Sequence, residues 1–119
     1  MTITEKIIAR ASSVPSVAPD DVVFVNVDKL MLHDVSGPGV IKVFEEWAKK
    51  GVHLERIWNP DKVWVSEDHF VPAADKISAN NIINLTNWTK KYGIKRHYKY
   101  GLGQYGICHT LSHASTIQA

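Results

Sequence analysis

At 119 residues the chain has room for one domain, and with 45% hydrophobic residues, 22% charged residues and a net charge of +2 it has a globular composition rather than that of a disordered tail. No apolar run approaches the roughly 20 residues that a bilayer-spanning helix needs. The single cysteine, Cys108, excludes an internal disulfide framework and a thiolate-ligated metal centre built from this chain alone.

The first element is a short helix. Thr2-x-x-Glu5 has the form of a capping box, with Ile7, Ile8 and Ala11 offering an apolar side. Residues 1–10 alternate charge with aliphatics and lack the apolar core of a secretion signal, so a cytoplasmic location is expected. A connector from Pro15 to Pro19 leads into Val22-Val23-Phe24-Val25-Asn26-Val27, whose β-branched, mostly apolar run predicts a strand covered on both faces. Leu30-Met31-Leu32 continues that strand or pairs nearby. Ser36-Gly37-Pro38 then opens a helix with Val40, Ile41, Phe44, Trp47 and Ala48 at helical spacing, ending at Gly51.

Lys62 to Val65 predicts a second strand, running into Ser66-Glu67-Asp68-His69. Ser78 is expected to cap a longer helix that buries Ile82, Leu85, Trp88 or Thr89, and Tyr92 before Gly93 ends it. Arg96 to Tyr100 is a third strand, opening into Gly101-Leu102-Gly103-Gln104-Tyr105-Gly106. Strand, loop and helix recurring in this order predict an α/β layered sheet with flanking helices and some parallel strands. Ligands of such sheets gather at the carboxyl ends of the strands. Each predicted strand is followed by histidine: His33-Asp34, Asp68-His69 and Cys108-His109.

A carboxylate beside an imidazole suits proton handling near neutral pH, and Asp68-His69 has that composition. The residues alone leave open whether the pair is functional or only a polar loop. The glycine pattern at 101–106 matches a dinucleotide fingerprint, but no strand-turn-helix unit or downstream acid accompanies it, so no such cofactor is expected. Cys108-His109 with His113 lacks the further ligands of a zinc site. His53 and His97 have no evident partner and are read as surface residues. Lys90, Lys91, Lys95, Arg96 and Lys99 interleave with Tyr92, Tyr98 and Tyr100 in a way that a nucleic-acid surface also would. The favoured reading is cations in the last turn of a helix and a solvated face, with neither nucleic acid nor membrane as a partner.

Four segments carry a resemblance. They are Thr4 to Arg10, His33-Asp34-Val35-Ser36-Gly37-Pro38 with Ile41 to Phe44, Asp68-His69-Phe70-Val71-Pro72-Ala73, and Gly106-Ile107-Cys108-His109. In this order the chain resembles the aconitase superfamily, and within it the 3-isopropylmalate dehydratase large subunits. The resemblance implies a hydro-lyase of leucine biosynthesis that removes and re-adds water on a hydroxy acid, with homoaconitase or aconitase-like hydratases as the alternative. It implies Asp68, His69 and His109 as catalytic residues and His33 as a substrate contact. It also implies a 4Fe-4S cluster held by three cysteines elsewhere in the family's chain, one iron serving as Lewis acid. Cys108 does not match a cluster ligand. Residues 1–119 then form a single partial domain, the N-terminal lobe of an aconitase-type catalytic domain. It is expected to be inactive until joined by the remainder of the large subunit, a small subunit of the swivelling-domain type and the hydroxy-acid substrate.

Overall fold

A computed structural model describes residues 1–103 and 106–111. Helix α1 (Ile3–Ser12) starts with the expected capping box: Thr2 Oγ1 accepts the Glu5 N–H at 3.3 Å, and Glu5 Oε2 accepts the Thr2 N–H at 2.6 Å. The side it buries is centred on Ala9 with Ile8 and Ala11 half-covered, whereas Ile7, expected there, is exposed.

The strand predicted over Val22–Val27 does not form. That stretch is extended but pairs with no neighbour among the described residues, and Val22 and Phe24 are each 98% exposed. Strand composition favours an extended backbone, but a ladder also requires a second edge to bond with. Here Asn26 instead donates its N–H to the Ala11 carbonyl at 2.9 Å. The first strand, β1 (Leu30–His33), lies just beyond it.

Strand β1, helix α2 (Ser36–Lys49), strand β2 (Val63–Ser66), helix α3 (Lys76–Lys91) and strand β3 (Arg96–Tyr98) follow in sequence, and the sheet order is β1-β2-β3 with both pairs parallel. Side chains alternate across a strand. Leu32, Val63 and Val65 accordingly share one face, which packs with Leu85, Trp88, Tyr92 and Ile94 into the core, flanked by Val40, Ile41, Phe44 and Ile57. Both helices therefore cover the same side of the sheet. Full burial of a leucine such as Leu85 contributes roughly 2–3 kcal/mol. The α2–α3 approach depends on Gly37, where an added Cβ would lie 2.6 Å from Cδ1 of the fully buried Leu85.

On the other face, Trp64 is flanked by Tyr98, Lys29 and Arg96, with the Lys29 Nζ 4.7 Å from its ring centre. Two element starts differ from the sequence reading. Helix α3 is capped by Asp75, which accepts the Ser78 N–H at 2.8 Å, so Ser78 is a buried residue of the first turn and not the cap. These bonds hold the Asp75 carboxyl below its usual range. Ser36 lies inside α2. Lys90 and Lys91 do fall in the last turn of α3. Trp47, assigned to the buried side of α2, is 44% exposed.

Candidate active site

Parallel pairing in register brings the carboxyl ends of β1 and β2 side by side, His33 opposite Ser66. The chain leaving β1 turns through Asp34, whose N–H donates to the Ser66 carbonyl at 3.2 Å and whose side chain is fully buried. The Asp34 carboxylate reaches across to the segment after β2. It accepts the N–H of Phe70 on Oδ2 at 2.6 Å and the N–H of His69 on both oxygens, at 3.0 and 3.2 Å. Burying a carboxylate costs too much unless its lone pairs are satisfied, and three short contacts to backbone donors meet that demand.

His69 sits on this cradle with its side chain 40% exposed. Its Nδ1 lies 2.5 Å from Asp68 Oδ1 and 3.2 Å from Asp34 Oδ1. Neither oxygen is in line with a ring N–H, so these are ionic contacts flanking the nitrogen rather than aligned hydrogen bonds. A ring lone pair would be repelled by two carboxylates, so the proton of neutral His69 belongs on Nδ1 and Nε2 is left as the acceptor nitrogen. The other Asp68 oxygen accepts the N–H of Cys108 at 2.6 Å. That bond fixes the helical turn at 108–111 against the loop after β2 and delivers His109.

The three imidazoles predicted to converge do so. The His33 and His69 rings stack with centroids 4.6 Å apart, and His109 approaches His33 edge-on at 6.3 Å. His33 has the opposite tautomer to His69. Its Nδ1 accepts the N–H groups of Val35 and Ser36, at 3.2 and 3.3 Å, so the ring itself caps the start of α2 and the neutral ring carries its proton on Nε2. Partial burial, then the neighbouring His69, hold the His33 pKa below the ordinary imidazole value, against the opposing pull of Asp34. One face thus offers a neutral N–H donor from His33 beside an acceptor nitrogen from His69.

Two groups of potential metal donors overlap here, His33 with Asp34 and His69, and Asp68 with His69 and Cys108. Both Asp34 oxygens and Asp68 Oδ2 are already engaged by backbone N–H groups, Asp68 Oδ1 faces the His69 ring, and the thiol is 1% exposed, its pKa raised by burial and then by Asp68. His113 and the loop residues Gln104 and Tyr105 lie outside the described residues. Gly101 and Gly103 adopt left-handed φ values of 82° and 73°, in accord with glycine serving the backbone there.

Two residues behind the site were not anticipated. His97, read as an unpartnered surface histidine, has its side chain only 7% exposed, with Nε2 2.8 Å from Glu67 Oε1 and Nδ1 3.0 Å from Thr89 Oγ1. Thr89 spends its hydroxyl proton on the Thr86 carbonyl, so the ring donates to it from Nδ1. Glu67 Oε2 accepts the Tyr100 N–H at 3.2 Å, tying the exit of β3 to the residue before Asp68. Strict alternation along β3 is the sequence signal that puts His97 on the helix-covered face between Arg96 and Tyr98. His53 is exposed, as expected.

No family model matches the chain. The chloroplastic 3-isopropylmalate dehydratase large subunit of Arabidopsis thaliana is 39% identical over 118 positions covering 92% of this chain and 22% of that protein. The 3-isopropylmalate dehydratase large subunit 2 of Rubrobacter xylanophilus is 37% identical, covering 92% of this chain and 24% of its own length. A probable 3-isopropylmalate dehydratase large subunit of Methanothermobacter thermautotrophicus is 33% identical with the same coverage, 92% and 24%. The chain spans about a quarter of the length of the curated relatives it matches. With 33–39% identity across about 92% of its residues, the chain is similar to a segment of 3-isopropylmalate dehydratase large subunits.

Proposed function

We propose that the chain is the N-terminal lobe of a cytoplasmic 3-isopropylmalate dehydratase, a hydro-lyase of leucine biosynthesis, and forms one wall of its active site. The rest of the site comes from the remainder of the large subunit and from a small subunit. The observation that carries this reading is the meeting of His33, His69 and His109, from three separate segments of the chain, beside the Asp34 and Asp68 carboxylates. Dehydration of a hydroxy acid needs a group to bind its carboxylates, a group to protonate the departing hydroxyl and a base on the neighbouring carbon.

His33, with Nε2–H outward, binds a substrate oxygen. His69 exchanges a proton at Nε2 while Asp68 stabilises the charged ring, and His109 closes the same wall. The base on carbon lies outside this chain in this reading. The family's 4Fe-4S cluster supplies Lewis acidity when bound. This chain does not fit the cluster as a ligand set, since its one thiol is buried and kept protonated where three thiolates are required. The cluster's cysteines belong to the remainder of the large subunit, and none of the roles assigned here passes through the cluster.

The test uses the chain alone and then supplemented. Treated with iron, sulfide and reductant, it is expected to show no turnover of 3-isopropylmalate and no visible cluster absorbance. Adding the missing three quarters of a matched large subunit together with its small subunit restores turnover, and His69→Ala in this chain lowers it by about 10²–10⁴-fold, as loss of an acid-base group does. Turnover by the unsupplemented chain, or full activity of the His69→Ala assembly, overturns the proposal.

A further inference from the structure

Two carboxylates face the His69 ring, and only Asp68 is its neighbour in sequence. The second, Asp34, lies 35 residues earlier, is fully buried, and spends both oxygens on the segment that carries His69. Its Oδ2 takes the two backbone N–H groups at their shorter distances, 2.6 Å from Phe70 and 3.0 Å from His69. Its Oδ1 faces the ring nitrogen at 3.2 Å.

We infer that Asp34 is a positioning residue for His69, fixing its backbone through one carboxylate oxygen and holding its Nδ1 as the protonated nitrogen through the other. The consequence reaches the reacting atom, since Nε2 is left unprotonated toward the ligand only when Nδ1 keeps the proton. Asp68 shares the ring duty but not the backbone one: its Oδ1 lies 2.5 Å from Nδ1, off the N–H direction as Asp34 Oδ1 is, and its other oxygen is committed to the Cys108 N–H. Asp34 also ties the two loops together, because its own N–H is bonded to the last residue of β2. The ring, its backbone and the sheet are thereby set by one side chain contributed from the neighbouring strand. The inference rests on reading His69 as the proton-handling imidazole, but its test needs no activity.

Asparagine separates the two duties of Asp34. With its amide oxygen in the Oδ2 position, the substituted side chain still accepts both backbone N–H groups, while its NH₂ confronts His69 Nδ1 with a donor where an acceptor stood. The experiment is nitrogen-15 NMR of the histidine rings in the 119-residue chain, with amide hydrogen exchange, for the parent, Asp34→Asn and Asp34→Ala. The parent is expected to show His69 as the Nδ1–H tautomer, with the His69 and Phe70 amides protected about tenfold or more, as bonds to a charged acceptor require.

Asp34→Asn is expected to keep that protection and move His69 toward the Nε2–H tautomer, with the His97 signals unchanged. Asp34→Ala is expected to lose the protection. An unaltered tautomer in a folded Asp34→Asn chain overturns the ring role, and fast exchange of both amides in the parent overturns the backbone role. Should both variants unfold, the parent's tautomer and amide protection decide alone: an Nε2–H tautomer in the parent sinks the inference. Such a failure leaves the dehydratase reading standing, while loss of that reading leaves the tautomer result intact.

Discussion

The carboxyl end of the sheet and the extended stretch at 22–27 invert the usual expectation about which groups a protein covers. At the first, Asp34, Glu67 and His97 are buried and each meets a hydrogen-bond or ionic partner. At the second, Val22, Phe24, Val25 and Val27 are largely in solvent. Scattered apolar exposure is ordinary, whereas here four exposed apolar residues fall within one six-residue stretch. The charged groups named at the first meet partners within the chain, and the apolar stretch pairs with no neighbour among the described residues.

The contrast is broken first by attacking the polar end. Glu67→Ala removes a buried carboxylate that faces His97 Nε2 at 2.8 Å and accepts the Tyr100 N–H. A loss of about 1–3 kcal/mol is expected, as for removal of a buried hydrogen-bond acceptor. Urea unfolding followed by tryptophan fluorescence measures it, and a loss below about 1 kcal/mol, the scale of an exposed pair, would show that the pair is solvated.

Acid acts more gently on the same end. The folded state holds His33 below its ordinary pKa near 6.5, so the unfolded chain binds the extra proton first. Stability supplied by neutral His33 is therefore present above pH 6.5 and is lost as pH falls through that value toward the folded one. Urea midpoints between pH 5 and 7.5 should rise with pH, and His33→Asn should flatten part of the slope. An identical slope in the variant would place the sensitivity elsewhere.

The smallest effect is expected at the apolar stretch. Phe24 is 98% exposed, and Phe24→Ser should change the unfolding free energy by no more than about 0.5 kcal/mol, the range for exposed positions. A larger loss would mean that the stretch packs against this chain in solution, which would erase the contrast.

The same division explains what could be read in the sequence. Features whose partners are near in sequence were legible: the Thr2–Glu5 box, the helical spacing of Phe44 and Leu85, the alternation of strands with helices, and the histidine after each strand. What was missed depends on distant partners. Asp34 looks like an ordinary turn aspartate until a backbone 35 residues away supplies its donors, and His97 has no partner until β2 brings Glu67 alongside. The run at 22–27 failed for the same reason in reverse. Its composition is that of a strand, but pairing is a property of two segments, and the described residues supply only one.

The bonds from Val35 and Ser36 to the ring of His33 put helix initiation on the same side chain that is proposed to meet the substrate. Any replacement must aim an acceptor inward at those two amides and a donor outward. The carboxamides, with an oxygen at one corner and an NH₂ at the other, are built to do both. Leucine or lysine would leave the helix start unanswered before the ligand was ever met. The repertoire of ligands open to this position is thus filtered in advance by the local folding code.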